Sequence, residues 1–285
     1  MIARLCIIGV GLIGGSLARA LRGAGAVGEI VGSSRHAAHL QRAVELGVID
    51  RFETDVAAAV RGADMVFVAV PLGAVRRVFE QLRGALAADA VVTDGGSAKG
   101  CVVQDAEAVW GEVPPWLVPG HPIAGTERSG VDASFAELYR GKRVILTPTE
   151  ATAPEAVERV RRMWEATGAL VREMDVRHHD EVLAATSHLP HVLAFTLVES
   201  LARMSEQREI FEYAAGGFRD FTRIASSDPV MWRDICLANR EAVVAMIEHF
   251  GQDLEELTAA IREHDADRIL RLFAAAKSAR DAFAG

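Results

Sequence analysis

Short apolar runs rich in β-branched residues alternate with helix-like segments along the first part of this 285-residue chain, up to residue 175. These runs are RLCIIGV, EIVGSS, MVFVAV, AVVTDG, WLVPGHPI, RVILTP and ALVREMD. Strands that alternate with helices indicate βαβ units, whose parallel strands are covered by helices on both faces. The pattern therefore predicts an α/β fold with a doubly wound, mostly parallel sheet.

The strand pattern stops after REMD, residues 172–175, and helical spacing replaces it. Four leucines then recur every four residues: Leu189, Leu193, Leu197 and Leu201. Near the end of the chain, Asp265 precedes a further segment with apolar residues at helical spacing, which is a helix start signal. We therefore predict an α/β domain of residues 1–174 and an all-α domain of residues 175–285.

Charge and cysteine content limit the partners and the compartment. The formal net charge is −8 and no long run of Lys or Arg is present, which argues against a nucleic-acid surface and leaves small molecules and other protein chains as partners. Cys6, Cys101 and Cys236 are widely spaced, form no C-x-x-C motif and predict neither a disulfide framework nor a zinc site. No uninterrupted apolar run of 18 or more residues suggests a membrane span. We expect a cytoplasmic protein.

A glycine motif follows the first predicted strand and opens the first predicted helix. Gly9, Gly11 and Gly14 stand in the order G-x-G-x-x-G, with Leu12 and Ile13 inside it. In this context the first glycine permits a tight turn, the second allows the backbone to approach a pyrophosphate, and the third allows close packing of helix on strand. The motif predicts a Rossmann-type dinucleotide-binding domain.

The end of the second strand bears on the choice of cofactor. NAD-binding domains usually carry Asp or Glu there, which accepts hydrogen bonds from the ribose hydroxyl. The segment VGSSRHAAHL has no acid and instead offers Ser33, Ser34 and Arg35, which suit a 2′-phosphate. We expect NADP to be preferred over NAD, the alternative being that Arg35 is a solvated surface residue.

Later strand ends should line the rest of the nucleotide crevice. VAVPLGAV puts Val70 and Pro71 there, TDGGSAKG puts Ser97 on the next loop, and GHPIAG puts His121 on the one after. Three successive strand ends thus point at the expected position of a nicotinamide ring.

Five segments together carry a family resemblance: GVGLIGGS, TDGGSAKG, GHPIAGTERSG, ATSHLPH and FRDFTRIASSDPVMWRDI. Between residue 5 and about residue 240 the chain resembles the prephenate/arogenate (cyclohexadienyl) dehydrogenases of tyrosine biosynthesis. The resemblance implies oxidative decarboxylation of prephenate, of arogenate or of both, with hydride transfer to NAD(P), which gives 4-hydroxyphenylpyruvate or tyrosine. It also implies a homodimer built by the helical domain. No segment resembles a fused chorismate mutase or regulatory domain, so we expect a stand-alone dehydrogenase.

The resemblance implies that His121 is the base for the substrate hydroxyl, with Ser97 orienting both. A neutral imidazole can accept a proton near pH 7. The alternatives are that His121 is a turn residue bonded only to backbone and that Ser97 caps the following helix.

Arg223 matches the arginine that binds a substrate carboxylate in this family, a role suited to the planar guanidinium. Arg219, four residues earlier, is the competing residue. By the same resemblance we expect Glu127 and Asp220 to hold the arginine in place, with surface roles as the alternative.

His188 and His191 lie three residues apart in SHLPH, on one face of a helix that Pro190 should kink. The resemblance implies substrate contacts for both and a pocket wall formed by Trp232. The alternatives are buried, hydrogen-bonded histidines and an interface tryptophan. The two histidines have the spacing of metal ligands, but no third ligand is evident, so we expect no metal.

Two other functions remain open. One is a different two-domain NADP-dependent dehydrogenase, of the β-hydroxyacid or imine reductase kind, in which the first helix of the second domain generally carries a catalytic lysine or acid. Here that helix carries SHLPH. The other is a non-catalytic NADP-binding protein, which the joint presence of Ser97, His121 and Arg223 disfavours. Nothing in the sequence separates prephenate from arogenate or decides whether tyrosine inhibits the protein.

Overall fold

The computed structural model describes residues 1–126, 128–204 and 207–284. The chain divides into two compact units, Met1–Arg240 and Glu241–Gly285.

The first unit contains a six-stranded sheet in which every pairing is parallel. Its strands in chain order are β1 (Ile2–Ile8), β2 (Val27–Ser33), β3 (Arg51–Glu53), β4 (Met65–Val68), β5 (Val91–Asp94) and β6 (Leu117–Val118). Their spatial order is β3-β2-β1-β4-β5-β6. The chain therefore winds outward from β1 in both directions, which confirms the predicted fold and leaves a crevice where the direction reverses, between β1 and β4.

Helices cover both faces of this sheet, and its central strands β1, β4 and β5 are buried on both sides; the edge strand β3, which the sequence pattern did not predict, is half-buried. Along β1, Leu5 and Ile7 point into one hydrophobic cluster, while Cys6 and Ile8 point into another. This arrangement explains why the strands appear as continuous apolar runs rather than as an alternating pattern. The helices of the α/β part are α1 (Leu12–Gly23), α2 (Ala37–Glu45), α3 (Val56–Ala59), α4 (Val75–Leu82), α5 (Gly100–Trp110) and α6 (Pro154–Glu165).

The last strands of the α/β part form a second, smaller sheet. The sequence pattern had predicted a single sheet. The smaller sheet consists of β7 (Gly120–Pro122), β8 (Arg143–Leu146) and β9 (Leu170–Glu173), with β7 antiparallel to β8 and β8 parallel to β9. The segment WLVPGHPI is therefore two strands. Pro119 has no N–H with which to continue a ladder, and the Gly120 N–H donates to the Asp94 side chain at 3.0 Å.

The remainder of the chain is helical. The change occurs between the end of β9 at Glu173 and the start of α7 at Val176; the division into domains of residues 1–174 and 175–285 stays a prediction. In the first unit α7 (Val176–Leu183) runs through a π-helical turn (Ala184–His188) into α8 (Leu189–Ala202), followed by α9 (Gln207–Glu212), α10 (Gly216–Thr222) and α11 (Pro229–Ala238). The leucine repeat lies in α8.

Two further helices, α12 (Arg240–Arg262) and α13 (Ala266–Ala284), make up the second unit apart from the first residue of α12. The Asp265 carboxylate accepts a hydrogen bond from the Arg268 backbone N–H at 2.9 Å, as expected for a helix start.

Among the described residues, the helical stretch Val176–Ala202 is long and apolar enough to cross a membrane by length and composition, with a mean hydropathy of 1.2. Core helices of soluble proteins meet the same criterion, so this stretch alone is weak evidence of a membrane span. It also carries Asp180 and four histidines: His178, His179, His188 and His191.

Candidate active site

A cleft of about 680 Å³ opens at the carboxyl ends of β1, β2 and β4, and the glycine motif forms part of its wall. Gly9 has φ +100°, and a Cβ there would lie 2.3 Å from the Ala69 carbonyl oxygen. A Cβ at Gly14 would lie 2.3 Å from the Gly9 carbonyl oxygen, whereas one at Gly11 would meet nothing within 4 Å. Gly9 and Gly14 thus permit the tight turn and the close packing, and Gly11 leaves room for a ligand.

The first turn of α1 presents backbone donors at the same place. The first hydrogen bond inside the helix is donated by the Gly15 N–H to the Gly11 carbonyl at 2.8 Å. The N–H groups of Leu12, Ile13 and Gly14 therefore precede the helical ladder, in the arrangement that binds anions at helix N-termini. The cleft and this turn fit the pyrophosphate of a dinucleotide.

The wall of the cleft beyond β2 is basic. Ser34, Arg35 and His36 follow the strand and line the cleft, and Arg77 of α4 lines it as well. The segment immediately after β2 contains no acid. Asp132 is the acid among the described lining residues, and its carboxylate pairs with Arg42 at 2.8 Å.

Ser33 does not offer its hydroxyl to this cleft, which corrects the expectation from the sequence. It is the last residue of β2, paired with Ile8 on one side and Glu53 on the other, and it is completely buried. Its backbone carbonyl accepts a hydrogen bond from the Gly9 N–H at 2.8 Å, so it supports the glycine turn. Val70 and Pro71 line the cleft.

His121 lies in β7, half-buried, and its ring is hydrogen-bonded to a second histidine. His121 Nδ1 is 2.9 Å from His179 Nε2, and His179 Nδ1 is 2.8 Å from Asp180 Oδ1. His179 is completely buried on α7. A carboxylate and two imidazole rings therefore stand in one hydrogen-bonded row.

The Asp180 carboxylate also binds the start of α5. It accepts hydrogen bonds from the backbone N–H groups of Lys99 and Gly100, each at 2.8 Å. Burial alone would raise the pKa of this carboxyl, but hydrogen bonds from His179 and from the two amides outweigh burial and hold the pKa below its ordinary value. Asp180 is therefore ionised near pH 7.

Burial lowers the pKa of His121 well below its ordinary value of 6.5, and positive charge on His179, Lys99 or His188 lowers it further. The pKa of His188 is lowered to about 4, chiefly by burial. Both rings are therefore neutral near pH 7 in the folded chain. A neutral imidazole is the form that accepts a proton.

His188 and His191 occupy different surroundings although they are three residues apart. The Asn239 side-chain amide donates to the Asp180 carbonyl at 2.8 Å and lies 3.1 Å from His188 Nδ1. The His191 ring stacks on Trp232, with ring centroids 3.6 Å apart, and its Nδ1 is 2.9 Å from the Ser187 carbonyl oxygen. Among the described residues, no group of three or more His, Cys, Asp or Glu is arranged to hold a metal.

Arg223 begins the 3₁₀ turn after α10 and is exposed. Burial is the main cause that lowers the pKa of His191, and the charge of Arg223 lowers it further. Arg219 and Asp220 are exposed residues of α10. Glu127 lies outside the described residues.

Ser97 is half-buried in the loop after β5, and within the described residues His179, rather than Ser97, is hydrogen-bonded to His121.

Five residues of this site were not predicted from the sequence: Asp94, Lys99, His179, Asp180 and Asn239. Lys99 is completely buried, and its Nζ contacts both Asp94 and the Gly120 carbonyl oxygen, the latter at 2.7 Å. The available signals were the adjacent polar residues in RHHDE and the charged pair in TDGGSAKG, within otherwise apolar surroundings.

Family models match almost the whole chain. The model described as prephenate dehydrogenase, nucleotide-binding domain, matches residues 17–173, and the model described as prephenate dehydrogenase, dimerization domain, matches residues 175–275. The chain is 39% identical over 281 residues to the cyclohexadienyl dehydrogenase of Zymomonas mobilis, covering 97% of this chain and 94% of that protein. It is 34% identical to the prephenate dehydrogenase of Bacillus subtilis, covering 97% of this chain and 75% of that protein.

Solved structures agree with these matches. Prephenate dehydrogenase from Aquifex aeolicus, in complex with hydroxyphenyl propionate and NAD⁺, superposes with a TM-score of 0.93 at 40% identity and covers 99% of both chains. Arogenate dehydrogenase from Synechocystis superposes with a TM-score of 0.83 at 28% identity, over 98% of this chain and 99% of that one. The chain therefore belongs to the prephenate dehydrogenase family.

Proposed function

We infer that this protein catalyses the oxidative decarboxylation of prephenate, of arogenate or of both, with hydride transfer to a nicotinamide dinucleotide. The observation that carries this inference is a neutral histidine, His121, held beside the loop after β5 through the contacts of Gly120 with Asp94. In the sheet, β5 lies next to β4, and Val70 and Pro71, which follow β4, line the dinucleotide cleft.

The reaction requires a base for the hydroxyl group on the substrate ring. A bound nicotinamide would accept the hydride from the ring carbon that carries this hydroxyl. His121 would take the hydroxyl proton, which leaves a ring carbonyl. Loss of the ring carboxylate as carbon dioxide then makes the ring aromatic, and the resulting phenolate oxygen takes a proton back. His121 has the protonation state that this sequence needs.

A substrate that carries two carboxylates needs a cation to hold it, and we assign this role to Arg223. The charge of Arg223 acts on the pKa of His191, which stacks on Trp232; this supports the assignment because one wall would then combine a guanidinium with flat ring faces. We propose substrate contacts for His188 as well, and a role for Ser97 in orienting the substrate hydroxyl. Glu127 and Asp220 are proposed to hold Arg223.

We propose that the protein prefers NADP over NAD. Ser34, Arg35, His36 and Arg77 line the cleft, and the segment after β2 carries no acid that would accept from a ribose hydroxyl. The NAD⁺ in the Aquifex aeolicus structure belongs to that protein, so both cofactors must be compared in this one.

We also propose a cytoplasmic homodimer, joined through the helical domain of residues 175–285. The match to a dimerization-domain model supports this assembly, as do apolar side chains exposed on the second unit, among them Ile261, Leu270 and Phe273. Sedimentation at micromolar concentration should give twice the chain mass of 30.6 kDa. A fully active monomer would contradict the proposal.

The activity is tested by mixing the purified protein with prephenate or arogenate and with NAD or NADP, in all four combinations. Absorbance of the reduced nicotinamide reports hydride transfer, and chromatography identifies 4-hydroxyphenylpyruvate or tyrosine. Activity with neither substrate, together with nicotinamide reduction by a β-hydroxyacid, would replace this proposal with the rival dehydrogenase function.

A further inference from the structure

We propose that His179, held by Asp180, fixes the tautomer of His121, so that His121 carries its proton on Nδ1 and keeps Nε2 free as the proton acceptor. His179 is then a positioning residue. The claim about the tautomer depends only on the geometry of the ligand-free protein. The claim that the tautomer matters for turnover rests on the proposed function.

The direction of each hydrogen bond follows from the acceptor at the end of the row. The Asp180 carboxylate is ionised and can only accept, so His179 Nδ1, 2.8 Å from Oδ1, must carry the proton. A neutral imidazole has a single N–H, so His179 Nε2 is an acceptor. The neighbouring His121 Nδ1, at 2.9 Å, must therefore donate, which leaves His121 Nε2 without a proton.

The opposite assignment would require a doubly protonated His179. Burial is the main cause that lowers the pKa of His179, and the charge of Lys99 lowers it further, while Asp180 and Asp94 act in the other direction. The balance keeps the pKa below 6.5, so His179 is neutral near pH 7. The positive charge of Lys99 likewise disfavours a proton on His121, and a proton on His188 would act in the same direction.

The contacts around Asp180 form a closed ring of hydrogen bonds, which fixes both ends of the row formed by Asp180, His179 and His121. Its carboxylate binds the Lys99 backbone N–H at 2.8 Å, and the Lys99 side chain binds the Gly120 carbonyl at 2.7 Å. Gly120 precedes His121, whose ring returns through His179 to Asp180. The loop before α5, the strand β7 and the helix α7 thus constrain the position of one imidazole.

This arrangement acts on the chemical step more than on binding. When His121 Nε2 accepts the substrate proton, the imidazolium keeps its Nδ1–H bonded to His179, and the Asp180 carboxylate stabilises the polarised row. An acceptor at position 179 therefore raises the proton affinity of His121 during turnover. Its loss should lower kcat and leave the KM values of substrate and cofactor nearly unchanged.

The tautomer is measured directly by ¹⁵N NMR of the histidine-labelled, ligand-free protein near pH 7, with the His121 signals assigned by their loss in His121→Asn. We expect a proton on Nδ1 and none on Nε2. The exposed neighbour His178 supplies the matched control, His178→Gln, which should leave this pattern unchanged. A proton on His121 Nε2 in the unaltered protein would overturn the proposal, whatever the substrate.

Two variants then test the consequence. His179→Leu removes the acceptor and should lower kcat about 10- to 100-fold, a range typical of residues that orient a functional histidine, and should shift the acidic limb of kcat to lower pH. His179→Gln keeps a carbonyl acceptor within reach and should restore most of kcat. Equal loss in both variants with no shift of the limb would mean a structural role and would overturn the proposal. Absence of turnover in the unaltered protein would count against the proposed function, and the NMR result would still decide the tautomer.

Discussion

Lys99 and Asp94 form a completely buried ion pair that binds both backbone polar groups of Gly120 in the active site. Lys99 Nζ donates to the Gly120 carbonyl at 2.7 Å, and the Gly120 N–H donates to Asp94 Oδ1 at 3.0 Å. Since Gly120 precedes His121, the pair fixes the backbone from which the proposed base projects. A turn that only connected two strands would not need a buried ion pair to hold its backbone.

We expect Lys99→Met to lower the free energy of unfolding by about 3–5 kcal/mol, because it leaves the Asp94 carboxylate buried without its cation. Urea unfolding followed by circular dichroism measures the change. Lys142→Met, at an exposed lysine, is the control and should have little effect. Lys99→Met combined with Asp94→Asn should recover part of the loss, and a single-variant loss below about 1 kcal/mol would show that the pair is not important for stability.

The cofactor preference depends on Arg35. Arg35→Ala should raise the KM for NADP about tenfold or more, as expected for loss of a charge-assisted contact to a phosphate, and should change the KM for NAD little. Arg22→Ala removes a surface arginine that pairs with Asp50 and serves as the control. If the unaltered protein used NAD and NADP with equal efficiency, the preference would be refuted, and the basic wall of the cleft would have another role.

Arg223 should bind a substrate carboxylate. Removing a bidentate, charge-assisted contact should cost on the order of 2–4 kcal/mol, seen mainly as a higher KM for the substrate in Arg223→Ala. Arg223→Lys should recover little, because an ammonium cannot form the two parallel hydrogen bonds of a guanidinium. A near-normal KM in Arg223→Ala, with a raised KM in Arg219→Ala, would move the role to Arg219.

Five strands of the main sheet were predictable because each appears as a short apolar run; β3, with the sequence RFE, is only half-buried and was not predicted. The second sheet was not predicted either, since β7 lies only two residues after β6 and belongs to another sheet because of Pro119 and the Asp94 side chain. Pro119 is visible in the sequence, but the hydrogen bond between Gly120 and the Asp94 side chain spans 26 residues and is not contained in the local pattern.

In the active site, too, local features could be predicted from the sequence, whereas contacts between distant residues could not. Gly9 and Gly14 were predictable because each meets a local backbone requirement, and Val70 because it follows a parallel strand. Ser33 was misplaced, because the last residue of a strand can point into the core as readily as toward the ligand. His121 and His179 are 58 positions apart, so only the folded chain brings them together.

The proposed base makes a specific prediction about pH. The pKa of His121 lies well below 6.5 in the ligand-free chain, chiefly because of burial; the charge of Lys99, and any proton on His179 or His188, lowers it further. A lowered histidine pKa means that the neutral, active form persists as pH falls through 6.5 and is lost only at lower pH. The acidic limb of kcat/KM, which reports the free enzyme, should therefore lie below pH 6.5. The negative charge of a bound substrate favours the protonated ring, so the limb of kcat should lie at higher pH than that of kcat/KM.

His121→Asn keeps a polar side chain in the rigid turn between Gly120 and Pro122 but cannot take a proton. We expect kcat to fall by about 10²- to 10⁴-fold, the range for loss of a general base, with the KM of the cofactor nearly unchanged. The acidic limb should disappear in this variant, because no group with that pKa would remain in the reaction. Titration calorimetry with the cofactor alone provides the control that the cleft is intact. If the limb persists, or if kcat stays within a few-fold of the unaltered protein, another group accepts the proton, and His188, whose pKa is lowered to about 4, is the next to test.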